Sequence, residues 1–146
     1  MINSFDGEFA FLSNFFPSPI TFDEITFPTV ENWFQAWKTE VPAEFRAIAT
    51  AETPGRAKRL GRKCMLREDW EEVKEQVMED GLRLKFADPE LKAKLIATGD
   101  QYLEEGNTWH DNYWGVCHCI KCQDIMAKNH LGKLLMKLRT EFMEEK

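Results

Sequence analysis

Glu31-Asn32-Trp33-Phe34-Gln35-Ala36-Trp37-Lys38 is the stretch from which the rest of the chain is read. Pro28 and Thr29 precede it, and Thr29 is a favoured N-cap residue, so a helix is expected to begin at Val30. Helical spacing puts Val30, Trp33 and Trp37 on one side and Glu31, Phe34, Gln35 and Lys38 on the other. The first side is an apolar anchor for a core. The second carries a carboxylate, an amide and an amine beside an aromatic ring. If that side lines a cleft, one rigid element holds an acid/base group and a candidate nucleophile. The alternative is a solvated face with a weak charge pair.

The 146 residues suit a single domain over 1–146, long enough to bury a core. With 43% hydrophobic and 30% charged residues, the composition is that of an ordinary globular protein, without repeats or low-complexity segments. The first residues, Met1 to Glu8, lack the basic and apolar regions of a secretory signal, and no apolar run is long enough to span a bilayer. A cytoplasmic location, no membrane association and four reduced cysteines are expected. A net charge of −6 argues against broad binding to nucleic acid. The charge is uneven, however: Arg56, Lys58, Arg59, Arg62, Lys63 and Arg67 fall in a stretch without an acid. Such a stretch suits a phosphorylated small molecule or a short nucleic-acid contact, or is simply a solvated basic helix face.

Outward from the opening stretch, Ile20-Thr21-Phe22 and Ile25-Thr26-Phe27 around Asp23-Glu24 predict a short hairpin. Pro42 is expected to open a helix to about Thr50, and Thr53-Pro54 another that Gly61 ends. Asp69 is the expected cap of the longest helix, with Trp70, Val73, Val77 and Leu84 at helical spacing and Met78 and Leu82 beside them. Asp88-Pro89 starts a helix that Gly99 stops, residues 101–104 read as a short strand, and Asn129 is the expected cap of a last helix over 130–142. Between 105 and 128 the periodicity vanishes, in a loop long enough to suggest function. The fold class is therefore mainly α, with a small N-terminal β element.

Three constellations carry chemistry. Glu31 and Asp111 are carboxylates suited to proton transfer at a glycosidic bond. Lys38, if partly buried, can attack an anomeric carbon and form an imine. Trp70, Trp109 and Trp114 could stack on a base, although tryptophans are more often core. The remaining constellation, besides the carboxylates and the lysine, is Cys117, Cys119 and Cys122 with His110 upstream, a weak zinc candidate because zinc ribbons usually bring two separated cysteine pairs. Free loop cysteines are the reading adopted, and no metal or cofactor is expected.

Several runs together resemble the YbiA-like, or NADAR, family: LSNFFPSP (Leu12 to Pro19), ENWFQAWK, AKRLGRKCMLREDW (Ala57 to Trp70), LKF (Leu84 to Phe86), TGD (Thr98 to Asp100), WHDNYWG (Trp109 to Gly115) and NHLGKLLMKLR (Asn129 to Arg139). The resemblance covers nearly the whole chain in order. It implies a mainly helical fold and an N-glycosidase that hydrolyses the bond between ribose C1 and an amino group. The substrates it implies are aminouracil ribose-phosphate intermediates of riboflavin synthesis, or ADP-ribose attached to guanine, free or in nucleic acid. The alternative is a module that binds ADP-ribose or a related nucleotide without cleaving it. Carried over by motif, Glu31, Lys38 and Asp111 are the expected catalytic residues. Asn14 and Phe15 of the SNF element, Gln35, Arg62, Trp70, Trp109 and Trp114 are the expected substrate contacts. The family's usual His after the glutamate is Asn32 here, and the cysteine insertion occurs in only some relatives.

Overall fold

The computed structural model describes residues 1–145. Among them the backbone gathers into two compact units, Asn14–Ala87 and Met1–Ser13 with the chain from Asp88 onward. Both are mainly helical, as expected, and the sheet content is two short two-stranded pairings.

In the Asn14–Ala87 unit, Ile20–Phe22 (β1) and Ile25–Phe27 (β2) form the predicted antiparallel hairpin, with Ile20 opposite Phe27. Asp23 and Glu24 turn it with φ of 52° and 65°, the left-handed pair that a two-residue loop uses. Four helices follow: Val30–Ala36 (α1), Pro42–Ala49 (α2), Pro54–Lys63 (α3) and Trp70–Lys85 (α4). The Thr29 hydroxyl accepts from the Asn32 N–H, the expected cap. Trp33 is buried with Ile20, Phe27, Ile48 and Ala57. Its ring meets Phe27 edge-on at 5.0 Å, and its indole N–H donates to the Val77 carbonyl at 2.9 Å.

Local signals fail where a distant partner intervenes. α3 continues through Gly61 to Lys63, because Gly61 is not a stop. A Cβ there would lie 2.0 Å from Gln35 Oε1, so glycine is needed for α3 to approach α1. Asp69 takes the expected N-cap position of α4, but its side chain makes no capping bond; Arg67 holds its two oxygens at 2.6 and 3.1 Å. The fully buried stripe of α4 is Trp70, Met78, Gly81, Leu82 and Lys85, while Val73, Val77 and Leu84 are half-buried.

All seven residues of α1 are buried, so its polar side is not a solvated face. Asn32, wholly buried, donates to the carbonyls of Ile48 and Ala51, both at 3.1 Å, and accepts from the Thr29 hydroxyl at 2.7 Å. It ties α1 to the end of α2.

In the second unit, Pro89–Ala97 (α5) is capped by Asp88, whose carboxylate accepts from the N–H groups of Glu90 and Leu91. Gly106–Asn107 (β3) pairs in parallel with Val116–Cys117 (β4), and His130–Glu144 (α6) closes the chain. A short 3₁₀ helix over Gly7–Leu12 buries Phe11 and Leu12. The strand expected over 101–104 is reduced to one bridge between Ile2 and Leu103. Asn129 does not cap α6 with its side chain. With φ of 50°, it donates to the Leu103 carbonyl at 2.9 Å and accepts from Glu105 N at 3.1 Å. No helix among the described residues is long and apolar enough to cross a membrane.

Asn32→Ala should lower stability by about 2–4 kcal/mol in urea denaturation, because it strands two buried carbonyls. An unchanged midpoint would show that they are not held by Asn32.

Candidate active site

The acid/amine pair is built from α1 outward. Glu31 sits in the first turn, where its N–H donates to the Asn14 carbonyl at 3.1 Å. Its carboxylate is 8% exposed and accepts from Gln35 Nε2 at 2.6 Å, an i,i+4 contact within the helix. Gln35 is in turn pressed against Gly61 of α3. The acid is thus held by a side chain that is itself held.

Lys38 lies just past the end of α1, half-buried, with its ammonium 5.6 Å from the centre of the Phe34 ring. Its carbonyl accepts from Arg67 N at 2.8 Å, and Thr39 bridges Leu66, so the backbone that carries it is pinned. Burial pulls the Lys38 amine below the ordinary lysine value. Glu31 and Cys64 oppose that shift, while Lys58 and Arg62 add to it. Burial also pushes the Cys64 thiol up, which keeps it protonated near neutrality. The arrangement is a half-buried amine electrostatically linked to a carboxylate.

The other expected contacts in this unit are Asn14, Phe15, Arg62 and Trp70. Asn14 is buried and donates to Met78 Sδ at 3.3 Å, while its Oδ1 is buried without a hydrogen-bond partner among the described residues. Phe15 and Arg62 are exposed. Trp70 is 5% exposed and packs edge-on against Phe34 at 5.1 Å, so it fixes the ring beside Lys38. A cavity of about 450 Å³ opens on the Trp37 side, lined by Phe22, Ile25, Trp37, Phe45, Arg46 and Arg67. Neither Glu31 nor Lys38 lines it, and the Arg67 guanidinium there is engaged by Asp69.

Trp109, Asp111 and Trp114 belong to the second unit. Asp111 Oδ1 accepts from Tyr113 N at 3.1 Å and Trp114 N at 2.9 Å, which shapes the loop. Trp109 is exposed, and Trp114 is half-buried beside Tyr113. His110, Cys117, Cys119 and Cys122 converge in the same loop.

Residues 3–143 match the NADAR domain, across both units. The chain belongs to the NADAR family. It is 41% identical to N-glycosidase YbiA of Escherichia coli strain K12, over 98% of this chain and 88% of that protein. The NMR structure of the E. coli protein YbiA aligns with a TM-score of 0.82 at 38% identity, covering 100% of this chain and 89% of that one. A riboflavin biosynthesis protein of Vibrio vulnificus is 33% identical over 95% of this chain and 37% of its own length. This NADAR chain is a hydrolase of the N-glycosyl-bond class.

Two residues of this NADAR enzyme were not singled out by type or spacing. Asn32 is wholly buried and holds the Ile48 and Ala51 carbonyls. Lys85 of the LKF run is wholly buried, its ammonium 5.7 and 5.2 Å from the ring centres of Phe16 and Phe86. Burial pulls its pKa down to about 7. The only sequence signal was the lysine's presence in a family motif.

Gly61→Ala should displace Gln35 and so loosen Glu31, lowering stability by about 1–3 kcal/mol and activity with it. A thermal melt and an assay unchanged from wild type would refute that linkage. For Lys85, the folded pKa lies below the unfolded one, so between about pH 7 and 10 the unfolded chain holds the extra proton. Stability should therefore climb with pH across that window, relative to a Lys85→Met variant. Urea titrations giving parallel pH profiles for the two proteins would contradict this.

Proposed function

We propose that the chain hydrolyses the bond between ribose C1 and an amino group of an aminouracil ribose phosphate, with Lys38 as nucleophile and Glu31 as proton donor and acceptor. The observation that carries the reading is the half-buried Lys38 beside a buried, hydrogen-bonded Glu31. The Vibrio relative named for riboflavin biosynthesis supports the substrate class.

In this mechanism the neutral Lys38 amine attacks C1 and forms a C1–Nζ bond. The C1–N bond to the base breaks, and the leaving nitrogen takes a proton from Glu31. Opening of the sugar ring gives an imine. Water, deprotonated by Glu31, adds to C1 and releases ribose phosphate and the free lysine. Glu31 is assigned the proton transfers because it is in the same unit as Lys38, whereas Asp111 Oδ1 organises its own loop. Arg62, exposed on α3 and electrostatically linked to Lys38, is the proposed phosphate contact. The unpartnered Asn14 Oδ1 is a proposed acceptor for a sugar hydroxyl.

The test is a mass-spectrometric assay on an aminouracil ribose phosphate and an ADP-ribosylated guanosine side by side. The first should be cleaved, and cleavage of the second alone would move the substrate to ADP-ribosyl guanine. Lys38→Ala and Glu31→Gln should each lose about 10²–10⁴-fold in kcat while remaining folded. Borohydride with substrate should add a sugar to Lys38. Because burial lowers the lysine pKa, kcat/KM should rise with pH on a limb centred below 10.5, and Lys38→Ala should lose that limb. Full activity in Lys38→Arg would eliminate the covalent route.

A further inference from the structure

We propose that His110, Cys117, Cys119 and Cys122 form a structural zinc site that holds the loop around Trp109 to Trp114. Their four ligand atoms lie within 4.8 Å of one another. His110 Nδ1 is 3.4 Å from Cys122 Sγ, 3.8 Å from Cys117 Sγ and 3.4 Å from Cys119 Sγ. A ring nitrogen carries at most one proton and can donate to one sulfur at a time. Three sulfurs around one nitrogen are therefore more than hydrogen bonding explains. A tetrahedral zinc, with Zn–S of about 2.3 Å and Zn–N of about 2.0–2.1 Å, separates nitrogen from sulfur by about 3.6 Å. The observed distances bracket that value.

The backbone is shaped for the same set. Cys119 and Cys122 close a turn in which Cys122 N donates to Cys119 O at 3.1 Å. Cys117 lies in β4, its N–H held by Asn112 Oδ1 at 2.9 Å. His110 has φ of 70°, a conformation uncommon for a residue with a side chain. Cys117 and Cys122 are buried and Cys119 is half-buried.

Thiolates favour zinc over calcium or magnesium, and four protein ligands leave no open position for a reacting water. The site is thus structural and independent of the Lys38 chemistry. On binding, the three thiols release their protons to solvent. Three thiolates and a neutral imidazole around Zn²⁺ then carry a net charge of −1. Since His110 adjoins Asp111, the ion would anchor the segment that Asp111 folds.

The full chain, purified under reducing conditions, should hold one zinc per molecule by elemental analysis. Cobalt(II) added to the reduced, metal-free protein should give the absorption of tetrahedral thiolate coordination. Cys119→Ser and Cys122→Ser should each weaken zinc binding at least tenfold, while Cys64→Ser retains one zinc. If the cluster variants do not fold, the wild-type cobalt spectrum decides. Absence of that spectrum, with all three cluster thiols reactive or paired in a disulfide, would overturn the assignment.

Discussion

The structure depends on burying a polar helix. α1 is enclosed on every side, yet it carries Glu31, Asn32 and Gln35. An uncompensated buried polar group costs several kcal/mol, and most of the polar atoms here find partners within the protein, although Gln35 Oε1 has none among the described residues. Asn32 takes the open carbonyls of Ile48 and Ala51, and Gln35 takes the carboxylate of Glu31. Gly61 supplies the clearance that lets α3 close over Gln35. The same contacts that make the burial tolerable also fix where the acid sits.

Lys38 is in a different electrostatic situation from Glu31, although only seven positions separate them. The helix ends before it, and its backbone is joined to Arg67. Its amine is therefore half-buried at the edge of the packed region, among the positive charges of Lys58 and Arg62. Desolvation and like charge weaken its hold on the proton, while the nearby carboxylate restores part of it.

The loop in the second unit reaches order by other means. It has little regular structure, and short polar side chains stand in for a backbone ladder. Asn107 donates to the Asp111 carbonyl at 2.9 Å and accepts from Asp111 N at 3.2 Å. Asp111 accepts from two further N–H groups, and Asn112 accepts from Cys117 N. These bonds are local, but they do not repeat at a fixed spacing. Periodicity could therefore mark the segment as unusual without saying how it folds.

Most helix starts, the hairpin and the mainly helical class are legible in local residues, because caps and turns act over only a few positions. Thr29, Thr53-Pro54, Asp88-Pro89 and the Asp23-Glu24 turn are examples. The sequence also placed Glu31, Gln35 and Lys38 within one another's reach, since helical spacing is a local property. Whether that side meets water or protein is settled by packing, because the answer rests on α3, which lies beyond α2 in the chain. Gly61 does not stop α3, and Asp69 and Asn129 stand at the N-cap positions without capping through their side chains, which bond to Arg67 and to Leu103 instead. Burial and long-range hydrogen bonding are properties of the packed chain, and no single segment contains them.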